Sequence, residues 1–218
     1  MITLSIDGKK IQAPPGRTLL ELAREHAIWI PTLCYHEALK PYSGCRLCVV
    51  ELATPRGSRL VAACTYPCEP GAVVRTDSEM VRQSRQVAAE LLLARAGHVP
   101  FIQELAASLG VHNTPYTLPS DDCILCARCV RACREIVGVG AISMAERGPG
   151  REVVPPFHIS SADCIECTTC VLACPTGAIT LQNIIDRDRT LHTWPSQYAR
   201  RACRLCDYHA DSLLQNEG

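Results

Sequence analysis

Residues 123–133 read Cys123-Ile124-Leu125-Cys126-Ala127-Arg128-Cys129-Val130-Arg131-Ala132-Cys133. Residues 164–174, 41 positions on, read Cys164-Ile165-Glu166-Cys167-Thr168-Thr169-Cys170-Val171-Leu172-Ala173-Cys174. Both runs place cysteines at i, i+3, i+6 and i+10. Each is followed by a matching tag, Gly140-Ala141-Ile142-Ser143 after the first and Gly177-Ala178-Ile179-Thr180 after the second. The repeat is a duplication, and it implies a pseudo-twofold domain over 121–182. Between the halves lies an insertion bearing Gly148-Pro149-Gly150 and Pro155-Pro156.

Three thiolates at i, i+3 and i+6 let a tight loop wrap one face of an iron-sulfur cubane, and a remote fourth closes it. In bacterial-type two-cluster ferredoxins the fourth cysteine of each run ligates the other cluster. The expected 4Fe-4S ligand sets are therefore Cys123, Cys126, Cys129 and Cys174, and Cys164, Cys167, Cys170 and Cys133. A pair of zinc sites is the structural alternative, but zinc takes four ligands in two pairs and leaves the i+6 and i+10 cysteines poorly used. Ala127 and Thr168 stand where a glycine often sits in such loops. Arg134 follows Cys133 where Pro175 follows Cys174.

Upstream, residues 1–76 predict a small β-rich domain. Ile2, Leu4 and Ile6 alternate, Asp7-Gly8 supplies a type I′ turn, and a second strand carries Ile11. Thr18 with Glu21 reads as a capping box for a helix bearing Leu19, Leu20, Leu22 and Ala23, which Pro31 stops. Short strands fit 47–52, 60–63 and 72–75. Across this frame runs Cys34-x10-Cys45-x2-Cys48-x15-Cys64, the logic of a plant-type 2Fe-2S site with a first gap longer than the usual four residues. Tyr42, Ser43 and Gly44 form the loop over it, and a structural zinc on the same four thiolates is the bland reading.

Residues 77–120 read as a helical connector: a helix from Asp77 or Ser78 to about Ala96, with Val81, Val87, Ala88, Leu91 and Leu92 at helical spacing, then a shorter one over 101–109. The tail, 183–218, holds His192, Cys203, Cys206 and His209, which have the ligand count and chemistry of a zinc site. Two other readings stand beside it: a site completed with Cys68 or a partner subunit, and reduced thiols without metal. Cys68 itself reads as an ordinary thiol.

Composition bounds the function. The 15 cysteines are too many for core thiols, and 22 Lys plus Arg balance 22 Asp plus Glu without a basic stripe, which argues against nucleic acid. There is no run of 18 apolar residues and no secretory pattern at the start, so a reducing, cytoplasmic compartment is expected. Neither a GxGxxG turn nor a GxxxxGK[ST] loop occurs, so no nucleotide or flavin site is expected on this chain.

These residues resemble the iron-sulfur subunits of NAD-linked multisubunit oxidoreductases: the N-terminal part of the large peripheral-arm subunit of complex I, the small diaphorase subunit of NAD-reducing hydrogenases, and the electron-input half of iron-only hydrogenases and related formate dehydrogenases. Carrying the resemblance are Ile30-Pro31-Thr32-Leu33-Cys34-Tyr35-His36, Cys45-Arg46-Leu47-Cys48-Val49-Val50-Glu51, and Cys123 through Glu135. It implies an α+β chain with an N-terminal β-grasp 2Fe-2S ferredoxin domain, a helical connector, a C-terminal bacterial-type 2x(4Fe-4S) ferredoxin domain and a tail. Its implied role is a non-catalytic electron-transfer subunit between a flavin- or NAD(P)-binding partner and a second redox subunit. Many members bind a further 4Fe-4S cluster with one histidine and three cysteines after the long helix. Here Ala94-Arg95-Ala96-Gly97-His98-Val99-Pro100 offers no cysteine, so that cluster is not expected.

A free polyferredoxin is the alternative. Such carriers are usually acidic, but three four-thiolate oxidised clusters at roughly −2 each would bring the neutral apo chain to about −6. The preference for a fixed subunit therefore rests on the resemblance, the connector and the tail. Hydrogen, formate, a quinone-linked chain or electron bifurcation all fit the same pattern.

Overall fold

The computed structural model describes residues 1–155 and 164–181. It divides into two compact units: one of 1–35 and 41–120, the other of 36–40 and 121 onward.

In the first unit, strands β1 (Ile2–Ile6) and β2 (Lys9–Ala13) pair with Ile6 opposite Lys9. The intervening Asp7 and Gly8 have φ of 49° and 80°, as a type I′ turn demands. Helix α1 (Leu19–Glu25) follows, with the Thr18–Glu21 capping box formed in both directions. Strands β3 (Val49–Thr54), β4 (Gly57–Ala62) and β5 (Val73–Arg75) complete a sheet of order β2-β1-β5-β3-β4, with β1 and β5 parallel. This is the expected β-grasp arrangement. Leu19, Leu20, Leu22 and Ala23 of α1 pack on Leu4, Ile6, Val50, Leu52, Val61 and Val74 of the sheet. Residues 47 and 48, expected in a strand, belong instead to the loop that precedes β3. Just past β5, the Thr76 backbone N–H and hydroxyl both donate to the Asp7 carboxylate, at 2.7 and 2.6 Å.

Helix α1 ends well before Pro31. Ala27 N–H donates to the Arg24 carbonyl and Ile28 N–H to that of Ala23, a Schellman motif with Ala27 at φ 54°. Glycine or asparagine usually marks that position, so the sequence carries no signal for the stop.

Helix α2 (Glu79–Ala96) starts at Ser78, whose hydroxyl accepts from Val81 N–H, and α3 (Pro100–Ser108) packs against it through Ala89 and Ala106. The buried residues of α2 are Val81, Arg85, Ala89 and Ala96, whereas Val87 and Leu91 are 46% and 42% exposed. Of the apolar residues at helical spacing only Val81 lies in the buried stripe, whose centre an arginine occupies.

In the second unit, helix α4 (Arg128–Arg131) runs into a π-helical turn (Ala132–Val137), followed by β6 (Ser143–Ala145) paired antiparallel with β7 (Glu152–Val154), and then by helix α5 (Thr169–Ala173). Residues 36–40 are held in this unit: Arg131 Nη1 donates to the Lys40 carbonyl at 2.8 Å, and Lys40 N–H donates to the Glu135 carboxylate at 2.7 Å. Half of the long Cys34–Cys45 gap thus belongs to the second unit.

Left-handed backbone at a residue with a Cβ costs about 1 kcal/mol. Ala27→Gly is therefore expected to raise the stability of the chain by about 1 kcal/mol and Ala27→Val to lower it, read as opposite shifts of the thermal unfolding midpoint.

Candidate metal centres

In the first unit the four cysteines of the expected 2Fe-2S site come together. Cys64 follows β4 in a segment tied to the start of α1, where Leu19 N–H donates to the Tyr66 carbonyl and Leu20 N–H to that of Ala63. Two orphan amides of the helix N-terminus thus fix the distant ligand. Cys45 and Cys48 lie on a loop in which Ser43 and Arg46 adopt left-handed φ of 55° and 59°. That backbone turns amides toward sulfur. Those of Cys45 and Gly44 reach Cys34, those of Cys34, Leu47 and Leu33 reach Cys45, and that of Ser43 reaches Cys64. The expected loop role of Ser43 and Gly44 is thus visible in backbone donors.

The thiols are arranged two and two. Cys34 S–H donates to Cys45, which holds Cys45 down at about 5 and raises Cys34. Cys64 donates to Cys48 in the same way, lowering Cys48 and raising Cys64. A mononuclear zinc site would draw all four sulfurs onto one centre. Two neighbouring thiol pairs fit a two-iron cluster, with two thiolates for each iron.

The duplication in the second unit extends to backbone detail. Leu125 and Ala127 flank Cys126 at φ 55° and 59°, and Glu166 and Thr168 flank Cys167 at 56° and 57°. The positions where glycine often sits are left-handed in both halves, which is the physical reason for that preference. Burial raises Cys129 to about 12, with Cys126, Cys123 and Cys174 adding like-charge repulsion. Burial also raises Cys126, where Cys174 and Cys123 act in the same sense. In the other half, burial raises Cys164 to about 12 and Cys170 to about 11, and Cys133 is a repelling neighbour of both. The thiols gather as Cys123, Cys126, Cys129 with Cys174, and Cys164, Cys167, Cys170 with Cys133.

The tags after each run have a use that their sequence alone did not reveal. Gly140 and Gly177 take φ of 65° and 71° and turn the following amides back onto the last cysteine of their own run. Ala141 N–H donates to Cys133 Sγ at 3.3 Å. Burial works against the Cys174 thiolate, but the amides of Ile179, Thr176 and Ala178 and the Thr176 hydroxyl outweigh it and lower its pKa. The repeated Gly-Ala-Ile could have signalled this, since a glycine fixed at one distance after a ligand marks a turn rather than packing. In addition, Thr169 Oγ1 lies 3.3 Å from Cys167 Sγ.

Cys68 is buried in the core around α1, 7% exposed, with its thiol form favoured by that burial. His98 is exposed, with Nδ1 3.3 Å from the Ser120 hydroxyl. His192, Cys203, Cys206 and His209 lie outside the described residues.

Residues 1–79 match the 2Fe-2S iron-sulfur cluster binding domain family, and residues 122–178 match the 4Fe-4S dicluster domain family. The chain is 35% identical over 188 residues to the NADP-reducing hydrogenase subunit HndD of Solidesulfovibrio fructosivorans, covering 72% of this chain and 32% of that protein. It is 28% identical over 178 residues to the mitochondrial NADH dehydrogenase (ubiquinone) iron-sulfur protein 1 of Solanum tuberosum, covering 70% and 24%. A chain of the NAD+-reducing NiFe-hydrogenase crystal structure in the H2-reduced state superposes with a TM-score of 0.70 at 28% identity, covering 81% of this chain and 86% of that one. The chain spans about a third or less of the curated relatives named here. The resemblance to iron-sulfur subunits of NAD(P)-linked oxidoreductases is thereby shown, as is the order of a 2Fe-2S domain followed by a 4Fe-4S dicluster domain.

The thiol pairing is testable without metal. In cluster-free protein at pH 7, above the value of about 5 for Cys45 and below that of Cys68, Cys45 is thiolate and Cys68 is thiol. Iodoacetamide should therefore label Cys45 before Cys68 in peptide mapping, whereas equal labelling of the two would show that the pairing is absent in cluster-free protein.

Proposed function

We propose that this chain is an electron-transfer subunit that relays single electrons between a flavin- or NAD(P)-binding partner and another redox subunit, in a hydrogenase, a formate dehydrogenase or a related cytoplasmic complex. One 2Fe-2S cluster is held by Cys34, Cys45, Cys48 and Cys64. Two 4Fe-4S clusters are held, one by Cys123, Cys126, Cys129 and Cys174, the other by Cys164, Cys167, Cys170 and Cys133. When bound, these groups supply one-electron acceptance and release at low potential.

The observation that carries the reading is the exchange of fourth cysteines between the two runs. Cys174 acts on Cys126 and Cys129, and Cys133 acts on Cys164 and Cys170. Each run contributes three thiols to one group and one to the other, so neither group is complete within a single half. With four cysteines available for each cluster, no iron position is left for substrate, and a relay fits better than catalysis on this chain. The chain's own work is to supply the thiolates, to aim amides at them and to exclude water around them. Hydrogen bonds to the sulfurs and burial are the protein's means of setting potential. The relatives are subunits of multisubunit NAD(P)-linked enzymes, which supports a fixed place in an assembly over a diffusing carrier. Among the described residues no helix is long and apolar enough to cross a membrane.

Metal analysis of the holoprotein is expected to give about 10 iron and about 10 sulfide per chain, while about 14 iron would require a further cluster. Cys133→Ser should disturb the cluster bound mainly by the 164–170 run, and Cys174→Ser that of the 123–129 run. Spectra in which each substitution affects only the cluster of its own run would reject the crossed ligation. The tail is read as a zinc site on His192, Cys203, Cys206 and His209, and a Cys203→Ser, Cys206→Ser double variant should lose one zinc per chain at an unchanged iron count.

A further inference from the structure

Helix α2 carries a cation into the interior of the first unit. Arg85 is 5% exposed, and its Nη2 donates 2.8 Å to the carbonyl of Val49, the residue after Cys48. Its Nε is buried without a hydrogen-bond partner. Burying a guanidinium is costly unless an anion shares the site, and one carbonyl does not compensate for it. Two carboxylates act on Arg85, those of Asp77 and Asp7, and both are engaged elsewhere. Asp7 accepts from Thr76 at 2.7 and 2.6 Å, and Asp77 pairs with Arg82 at 3.0 Å. The remaining anionic neighbour of Arg85 among the described residues is Cys48.

We infer that Arg85 sets the reduction potential of the 2Fe-2S cluster, acting as a fixed positive charge behind the Cys48–Val49 peptide. The inference rests on the assignment of Cys34, Cys45, Cys48 and Cys64 as that cluster's ligands. Accepting one electron makes a four-thiolate cluster more negative by one charge. A buried cation beside one ligand stabilises that charge more than it stabilises the oxidised form, and low local dielectric preserves the effect. The guanidinium stays charged at any working pH, so the bias is permanent.

The test is a dithionite titration of the holoprotein followed by electron paramagnetic resonance, with the 2Fe-2S signal read apart from the 4Fe-4S signals. Arg85→Gln keeps a donor for the Val49 carbonyl but removes the charge. It is expected to disfavour reduction of the 2Fe-2S cluster at least tenfold, a midpoint lower by about 59 mV for one electron. The 4Fe-4S midpoints should stay in place, and Arg85→Lys should restore most of the shift. An unchanged midpoint in Arg85→Gln, or equal shifts in Arg85→Gln and Arg85→Lys, would overturn the inference. Should Arg85→Gln lose the cluster, Arg85→Met is titrated in its place, and loss of the cluster in both neutral variants would make Arg85 a residue of the fold alone. Wild-type protein with about 8 iron and no 2Fe-2S signal would instead overturn the ligand assignment itself.

Discussion

Backbone amides aimed at buried sulfur are the constraint on which the rest of this chain depends. Thiolates withdrawn from water need compensation, and the amides around Cys34, Cys45, Cys64 and Cys174 provide it. A regular helix or strand spends its amides on its own ladder, so the ligand loops must leave regular structure. They do so through left-handed residues: Ser43 and Arg46, Leu125 and Ala127, Glu166 and Thr168. None is a glycine, and each costs about 1 kcal/mol or more. Strain of that kind persists where the surroundings over-determine it, and the amide-to-sulfur bonds of these loops contribute to that.

The regular elements can be understood as anchors for these loops. The α1 N-terminus holds the segment after Cys64, β3 and β4 carry the chain between Cys48 and Cys64, and α2 brings Arg85 to the Val49 carbonyl. In the second unit α4 and α5 each begin one residue after a left-handed turn, so that i+6 and i+10 cysteines project from one short helical segment and the turn that follows it. The π-helical turn at Ala132–Val137 widens the backbone where Cys133 leaves its own run, and Gly138 N–H returns to the Cys133 carbonyl at 3.0 Å. The second run has no such turn and ends at Cys174-Pro175, a difference between the halves that follows from Arg134 standing in place of a proline.

Two features show why pattern reading stops short. The buried stripe of α2 escaped because hydrophobic periodicity weighs an arginine as a surface residue, and only packing reveals that Arg85 turns inward. The end of α1 escaped because Ala27 carries none of the usual marks of a left-handed cap, and the closing bonds to Ala23 and Arg24 decide the matter.

By itself the sequence determined the cofactor chemistry and the fold class. Cysteine spacing is covalent geometry read directly along the chain, and the Asp7-Gly8 turn, the Thr18–Glu21 box and a cap at Asp77 or Ser78 are local hydrogen-bonding motifs that need no distant partner. Tertiary structure alone decided which thiols pair, Cys34 with Cys45 and Cys48 with Cys64, and which backbone amides reach them. It alone placed a permanent charge beside Cys48. Those are properties of groups remote in sequence, Arg85 and Val49 being 36 positions apart, and no local pattern records the direction in which a side chain or an amide finally points.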